Sequence, residues 1–188
     1  MQIENTAIFE VKVLTPNRFG DERGFFSESW NKDLMEKAGL NYEFVQDNHS
    51  ISEQAGTVRG LHFQSPPHAQ AKLVRCGQGC LFDVAVDFRN GSPTFGQWVG
   101  VELSANNGKQ LLIPIGFLHG FVTRTAKTEI IYKCTDYYAP EFDNAVRFDD
   151  PDIGIEWSLD VGVLLSSKDK NAPSLQDIKS PFFWVEEG

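Results

Sequence analysis

Histidines stand at positions 49, 62, 68 and 119, and two of them, His62 in TVRGLHFQ and His119 in IPIGFLHGF, fall inside strand-like runs. The ordinary pKa of imidazole lies close to neutrality, so a histidine facing a pocket can carry protons or ligate a metal. Proton work calls for a carboxylate that holds the tautomer and tunes basicity. Asp83 and Asp169 are the candidates, and spacing alone does not choose between them. Tyr132 shares a strand face with Ile130 and Cys134, where it is either a core aromatic or a general acid on the far side of a substrate. Lys72 has the parity of Gln70, opposite to Leu73 and Arg75. A lysine in mid-strand of a small barrel is either solvated outside or serves a ligand inside.

Arg59 and His62 differ by an odd number, so a regular strand sends them to opposite faces. Both reach one pocket only if Gly60 marks a bulge or kink, a role glycine often takes in strands. The metal reading is the weaker one. Pro114, Gly116 and His119 have the P-x-G-x-x-H spacing that resembles the second motif of the cupin β-barrels. The first cupin motif wants H-x-H and then a carboxylate, and the run from His62 through Gln70 and Lys72 supplies neither.

The elements that must position these residues are mostly strands. Period-two alternation recurs in short runs bounded by Gly, Pro, Asn or Asp: residues 8–14, 24–30, 57–63, 71–76, 81–88, 95–103, 109–114, 119–124 and 128–134. In LFDVAVDF, Phe82, Val84, Val86 and Phe88 form one face and Leu81, Asp83, Ala85 and Asp87 the other, which predicts a strand with one face in a core. Nine short strands imply an all-β sandwich or barrel. NKDLMEKAG, ending at Gly39, is the best helix, short and peripheral. After Pro140 the pattern becomes a loop-rich tail with short helical turns, polar enough to reach over a site. No repeat or linker divides residues 1–188, so a single domain is expected.

Composition narrows the function classes. Hydrophobic residues at 41%, with 15 Phe and 4 Trp, describe a chain that buries a core. A net charge of -9 argues against general nucleic-acid binding while leaving room for one phosphate ligand in a local basic pocket. Cys76, Cys80 and Cys134 form an odd set without a C-x-x-C pair, which suits reduced thiols. No signal-like start and no apolar run of about 20 residues stand in the chain, so no membrane span and a cytoplasmic location are expected.

Nine ordered segments carry a resemblance: FGDERGFFSESW, FVQDNHS, TVRGLHFQ, AKLVRCGQG, FDVAVD, GSPTFGQW, IPIGFLHGF, YKCTDYYAPEFD and LSSKDKNAP. Together they resemble the dTDP-4-dehydrorhamnose 3,5-epimerases, cupin-type jelly-roll enzymes of deoxysugar biosynthesis, over almost the whole chain. The resemblance implies proton shuttling on a nucleotide-linked 4-keto-6-deoxyhexose, with neither metal nor organic cofactor. It makes His62 the base, Asp169 its orienting carboxylate, Lys72 the partner of the oxyanion at C4, and Tyr132 the proton donor on the opposite face. It extends substrate binding to Arg23, Glu28, Gln46, Asp47, Asn48, Arg59, Lys72, His119, Asp143 and Lys168. Position 143 is often Glu in that family. The resemblance also implies a homodimer whose N-terminal strand, bearing Arg23 and Glu28, crosses into the partner's site. A single-centre epimerase of another deoxysugar pathway is the nearest alternative, and a sugar-binding cupin without catalysis a more distant one.

Overall fold

The computed structural model describes residues 1–159 and 162–185. In chain order its first strands are β1 (Gln2–Asn5), β2 (Lys12–Thr15), β3 (Arg18–Asp21) and β4 (Gly24–Ser27), followed by helix α1 (Lys32–Lys37). The central strands are β5 (Gln46–Ser52), β6 (Val58–Gln64), β7 (Lys72–Gln78), β8 (Cys80–Asp87), β9 (Arg89–Asn90) and β10 (Trp98–Ser104). Then come β11 (Gln110–Ile113), β12 (Phe117–Thr123), β13 (Thr128–Cys134), β14 (Asp143–Ala145), helix α2 (Ser167–Lys170) and β15 (Phe182–Phe183).

Two antiparallel sheets carry the architecture. One runs β1-β2-β11-β7-β13-β5 and the other β10-β8-β12-β6-β14. Between them lies an apolar interior built from alternate residues of each strand: Val13, Val74, Leu111 and Ile130 from the first sheet, Leu81, Ala85, Leu103 and Phe121 from the second. This is an all-β barrel of two sheets, as the alternation predicts, and the jelly roll that the resemblance implies. Its strands are joined by non-neighbouring connections, so pairing order is a tertiary property.

Both outer faces are also covered. Leu14, Leu73 and Leu112 turn away from the interior and pack under Met35 of α1, Trp30 and Phe44. On the second sheet Phe63, Val84, Val86, Phe88, Leu118 and Val122 pack under the tail residues Val146, Ile153, Trp157 and Phe182. LFDVAVDF therefore departs from the one-faced strand expected. Leu81, Asp83, Ala85 and Asp87 are buried on one side while Val84, Val86 and Phe88 are buried on the other, because the tail seals the face that sequence alternation leaves open.

Other elements shift for local reasons. The expected strand 8–14 is a turn followed by β2: the Thr6 hydroxyl donates to the carbonyls of Ile8 and Val11, closing the chain before pairing begins at Lys12. The run 24–30 stops at Ser27, after which Trp30 swings onto Phe44 and the Asn31 side chain caps α1 by accepting from Leu34 N. Met35 is the residue α1 buries, while Leu34 stays exposed. The strand β5, QDNHSIS, is absent from the sequence expectation because the face it turns inward is polar.

Candidate active site

The strands β6 and β12 pair with His62 directly opposite His119. Two residues on along β12, Phe121 faces Arg59, three residues back along β6. The strand β6 thus holds one extra residue, and Gly60 is the one that absorbs it, at φ +120°. A Cβ there would stand 2.6 Å from both Gly120 Cα and His119 O. The irregularity expected from parity is present, and it turns Arg59 and His62 into the same cavity.

That cavity, about 530 Å³, lies inside one end of the barrel. His62, His119 and Arg59 reach it from the second sheet, Lys72 and Tyr132 from the first, and Leu164, Leu165 and Asp169 from the tail. A second cavity of about 360 Å³ shares His62, Lys72 and Tyr132 with it and continues past Gln46, Asn48, Tyr138, Asp143 and Lys168. Catalytic candidates therefore sit at the junction of two lobes.

The choice of carboxylate that spacing left open is settled by geometry. His62 Nε2 lies 2.6 Å from Asp169 Oδ1, and Asp169 is buried. Its other oxygen accepts from the Ser166 hydroxyl at 2.9 Å, while Ser166 Oγ accepts Asp169 N and so caps α2. Burial pushes the Asp169 carboxyl up, but the hydrogen bonds from His62 and Ser166 and the charges of His62 and Lys168 outweigh it and hold the group below the usual range. With Asp169 ionised, His62 carries its proton on Nε2, leaving Nδ1 as the basic nitrogen.

Asp83 serves the other histidine: His119 Nε2 lies 2.8 Å from Asp83 Oδ1, and Asp83 is fully buried. Burial draws the His119 pKa down, against the pull of Asp83 and with the help of Lys72 and His62, so the ring is held neutral. The second oxygen of Asp83 has no partner among the described residues.

Lys72 makes no ion pair with a described residue. Burial lowers its pKa despite the attraction of Cys134, Asp143 and Asp83. An ammonium so placed gains most when negative charge develops beside it. Burial pushes the Tyr132 phenol up, with Cys134 and Asp143 adding to the shift and Arg59 opposing it. Tyr132 is therefore a protonated donor at neutral pH.

The remaining expected residues divide. Gln46 and Asn48 face the second cavity, and Asp143 accepts both Lys168 Nζ at 2.5 Å and the Tyr138 hydroxyl at 3.1 Å. Asp47, between Gln46 and Asn48, points to the other face and pairs with Lys133 at 2.9 Å. Arg23 sits on the exposed β3–β4 hairpin, bonded to Asp21, and Glu28 just beyond it is exposed; neither lines either of these two cavities. Sequence reasoning missed Ser166 and Tyr138. The S-x-x-D spacing of Ser166 and Asp169 is a helix-start signal that could have found the first.

The family model for dTDP-4-dehydrorhamnose 3,5-epimerase matches residues 5–177. The chain belongs to this family. A dTDP-4-dehydrorhamnose 3,5-epimerase of Sinorhizobium fredii is 50% identical over 186 residues, covering 99% of this chain and 95% of the relative. The crystal structure of the epimerase of Legionella pneumophila in complex with dTDP-4-keto-L-rhamnose superposes with a TM-score of 0.94 at 48% identity, over 98% of this chain and 99% of that one. A 3'-monoepimerase of Streptomyces bikiniensis in complex with dTDP-quinovose also shares the fold, with a TM-score of 0.85 at 34% identity, over 92% and 87% of the two chains. As a dTDP-4-dehydrorhamnose 3,5-epimerase family member, this chain has the cupin-type jelly roll and the isomerase chemistry of the family. Among the described residues no helix is long and apolar enough to cross a membrane, and no cluster of three or more His, Cys, Asp or Glu could hold a metal.

Proposed function

We propose that the chain inverts C3 and C5 of dTDP-4-dehydro-6-deoxy-D-glucose to give dTDP-4-dehydro-L-rhamnose. The observation that carries this reading is the division of labour between the sheets. His62 stands on β6 of one sheet, Tyr132 and Lys72 on β13 and β7 of the other, and all three line one cavity. Inversion requires removal of a proton from one face of the sugar and delivery to the opposite face.

The ketone at C4 acidifies the hydrogens on C3 and C5. His62 Nδ1 takes the proton, with Asp169 holding the imidazole and stabilising the imidazolium that forms. Negative charge moves onto the C4 oxygen, where the Lys72 ammonium stabilises the enolate more than the ketone. Tyr132 then delivers its proton to the carbon from the other side. Water restores both groups, so the reaction is redox-neutral and consumes no cofactor. The second lobe suits the nucleotide diphosphate, through Gln46, Asn48, Asp143 and Lys168, with Arg59 and His119 at the sugar end.

The chain acts, in this reading, as one cytoplasmic domain of a homodimer. Phe19, Phe25 and Phe26 are exposed on the β3–β4 hairpin, an apolar surface that a second copy would cover while bringing Arg23 and Glu28 to its site. Asp47 joins the substrate set only if β5 rearranges on binding.

Likeness to a monoepimerase favours a second reading, inversion at one centre alone. Incubation with dTDP-4-keto-6-deoxyglucose in deuterium oxide, followed by NMR, separates them. Deuterium entering both C3 and C5 with inversion supports the first reading; exchange at one carbon supports the second, and exchange at neither removes both.

A further inference from the structure

The loop that follows β13 carries two exposed tyrosines, Tyr137 and Tyr138, and none of its residues 136–139 is buried. Apolar packing therefore does not locate it. Its backbone is instead held at four successive residues by three glutamines from separate parts of the fold. Gln70 Nε2 donates to Asp136 O at 2.7 Å, and Gln64 Nε2 donates to Tyr137 O at 3.1 Å. Gln46 Oε1 accepts from Tyr138 N at 3.0 Å, and Gln64 Oε1 accepts from Ala139 N at 2.8 Å. Gln64 also donates to His68 O at 2.6 Å, so both ends of its amide are engaged, and it is only 5% exposed.

What this clamp presents is Tyr138, which stands at the second lobe with its hydroxyl donating to Asp143 Oδ2, the oxygen that also accepts Lys168 Nζ. Gln64 lies two residues beyond His62 on the same strand, so one strand positions both the proposed base and the wall of the neighbouring lobe.

We propose that Gln64 is a positioning residue that sets affinity for the nucleotide end of the substrate, by fixing residues 136–139 and through them Tyr138, Asp143 and Lys168. This rests on the reading above that the second lobe takes the nucleotide diphosphate. A loop without buried residues loses its defined place when its hydrogen bonds go, and its ordering must then be repeated at each binding event. Loss of the two bonds that Gln64 makes to this loop is expected to weaken binding about tenfold.

The test is calorimetric titration with dTDP alone, beside steady-state kinetics. In Gln64→Leu the dissociation constant for dTDP is expected to rise about tenfold, with KM rising in parallel and kcat moving less than about twofold. Tyr138→Ala is expected to weaken dTDP similarly, and the double variant to be no more than about twofold weaker than either single one, because both changes remove the same wall. Gln70→Ala, which removes one bond of the four, is expected to weaken dTDP about threefold and serves if Gln64→Leu does not fold. Wild-type affinity in these variants, or effects of Gln64→Leu and Tyr138→Ala that multiply, overturns the inference. Wild-type protein that binds dTDP yet exchanges neither C3 nor C5 removes the proposed reaction and leaves the clamp standing.

Discussion

His62 and His119 face each other across an antiparallel strand pair, and each gives Nε2 to a buried carboxylate, Asp169 at 2.6 Å and Asp83 at 2.8 Å. The two dyads differ in where the carboxylate comes from. Asp83 belongs to the neighbouring strand β8, whereas Asp169 arrives on α2 from the tail. The His62 dyad therefore depends on the docking of a segment more than a hundred residues away in the chain.

Asp169→Asn is expected to lower kcat by about 10²–10⁴-fold, the range for a positioned base deprived of its partner, with little change in KM. Its acid sensitivity has a definite sign. The folded-state pKa of Asp169 lies below the unfolded value of 3.8, so its contribution to stability is present above that value and lost as pH falls through the folded pKa. Urea unfolding at pH 7 and pH 3 should show a smaller difference in Asp169→Asn than in wild type.

Tyr132→Phe separates the two faces of the reaction. With His62 intact, abstraction and return on one face persist, so deuterium is expected to enter the substrate with retention while inversion falls about 10²–10⁴-fold. Equal loss of exchange and inversion would assign Tyr132 to substrate binding instead.

Lys72→Met is expected to abolish turnover and to raise stability at neutral pH, since an apolar residue replaces a poorly solvated amine that makes no ion pair with a described residue. The folded pKa of Lys72 is lowered below 10.5, so wild-type stability rises with pH across the window from the folded pKa to 10.5. The advantage of the variant should shrink as the pH rises through that window, which thermal unfolding at pH 7 and pH 10.5 would reveal.

Gly60→Ala is expected to cost about 3 kcal/mol or more, because the φ of +120° and the 2.6 Å approach to Gly120 Cα and His119 O both exclude a Cβ. Denaturant unfolding measures the loss. A variant that folds with wild-type stability would mean that β6 can run regularly, and Arg59 or His62 should then leave the cavity.

Much of the site is readable from residue order because strand parity is a local rule. Ile130, Tyr132 and Cys134 share a face as their numbers require, and the odd spacing of Arg59 and His62 lets them share a pocket only if Gly60 breaks the strand, as it does. The strand β5 escapes the same rule because Gln46, Asn48, Ser50 and Ser52 place polar groups on its inward face, where the pattern expects apolar ones. Asp47 follows parity too, which is why it leaves the lobe that holds its two neighbours.

Amino-acid order by itself determined which side chains share a face, where turns break the strands, and, by resemblance, the chemistry of the site. It left the pairing of Asp83 with His119 undecided, and it named Asp169 as the partner of His62 only through the resemblance. It also left undecided the burial of the second face of β8, and the joining of Gln46, Gln64 and Gln70 on one loop. Those depend on which strands become neighbours and where the tail docks. Such contacts join residues far apart in the chain, and only the packing of the two sheets and their covers brings them within hydrogen-bonding distance.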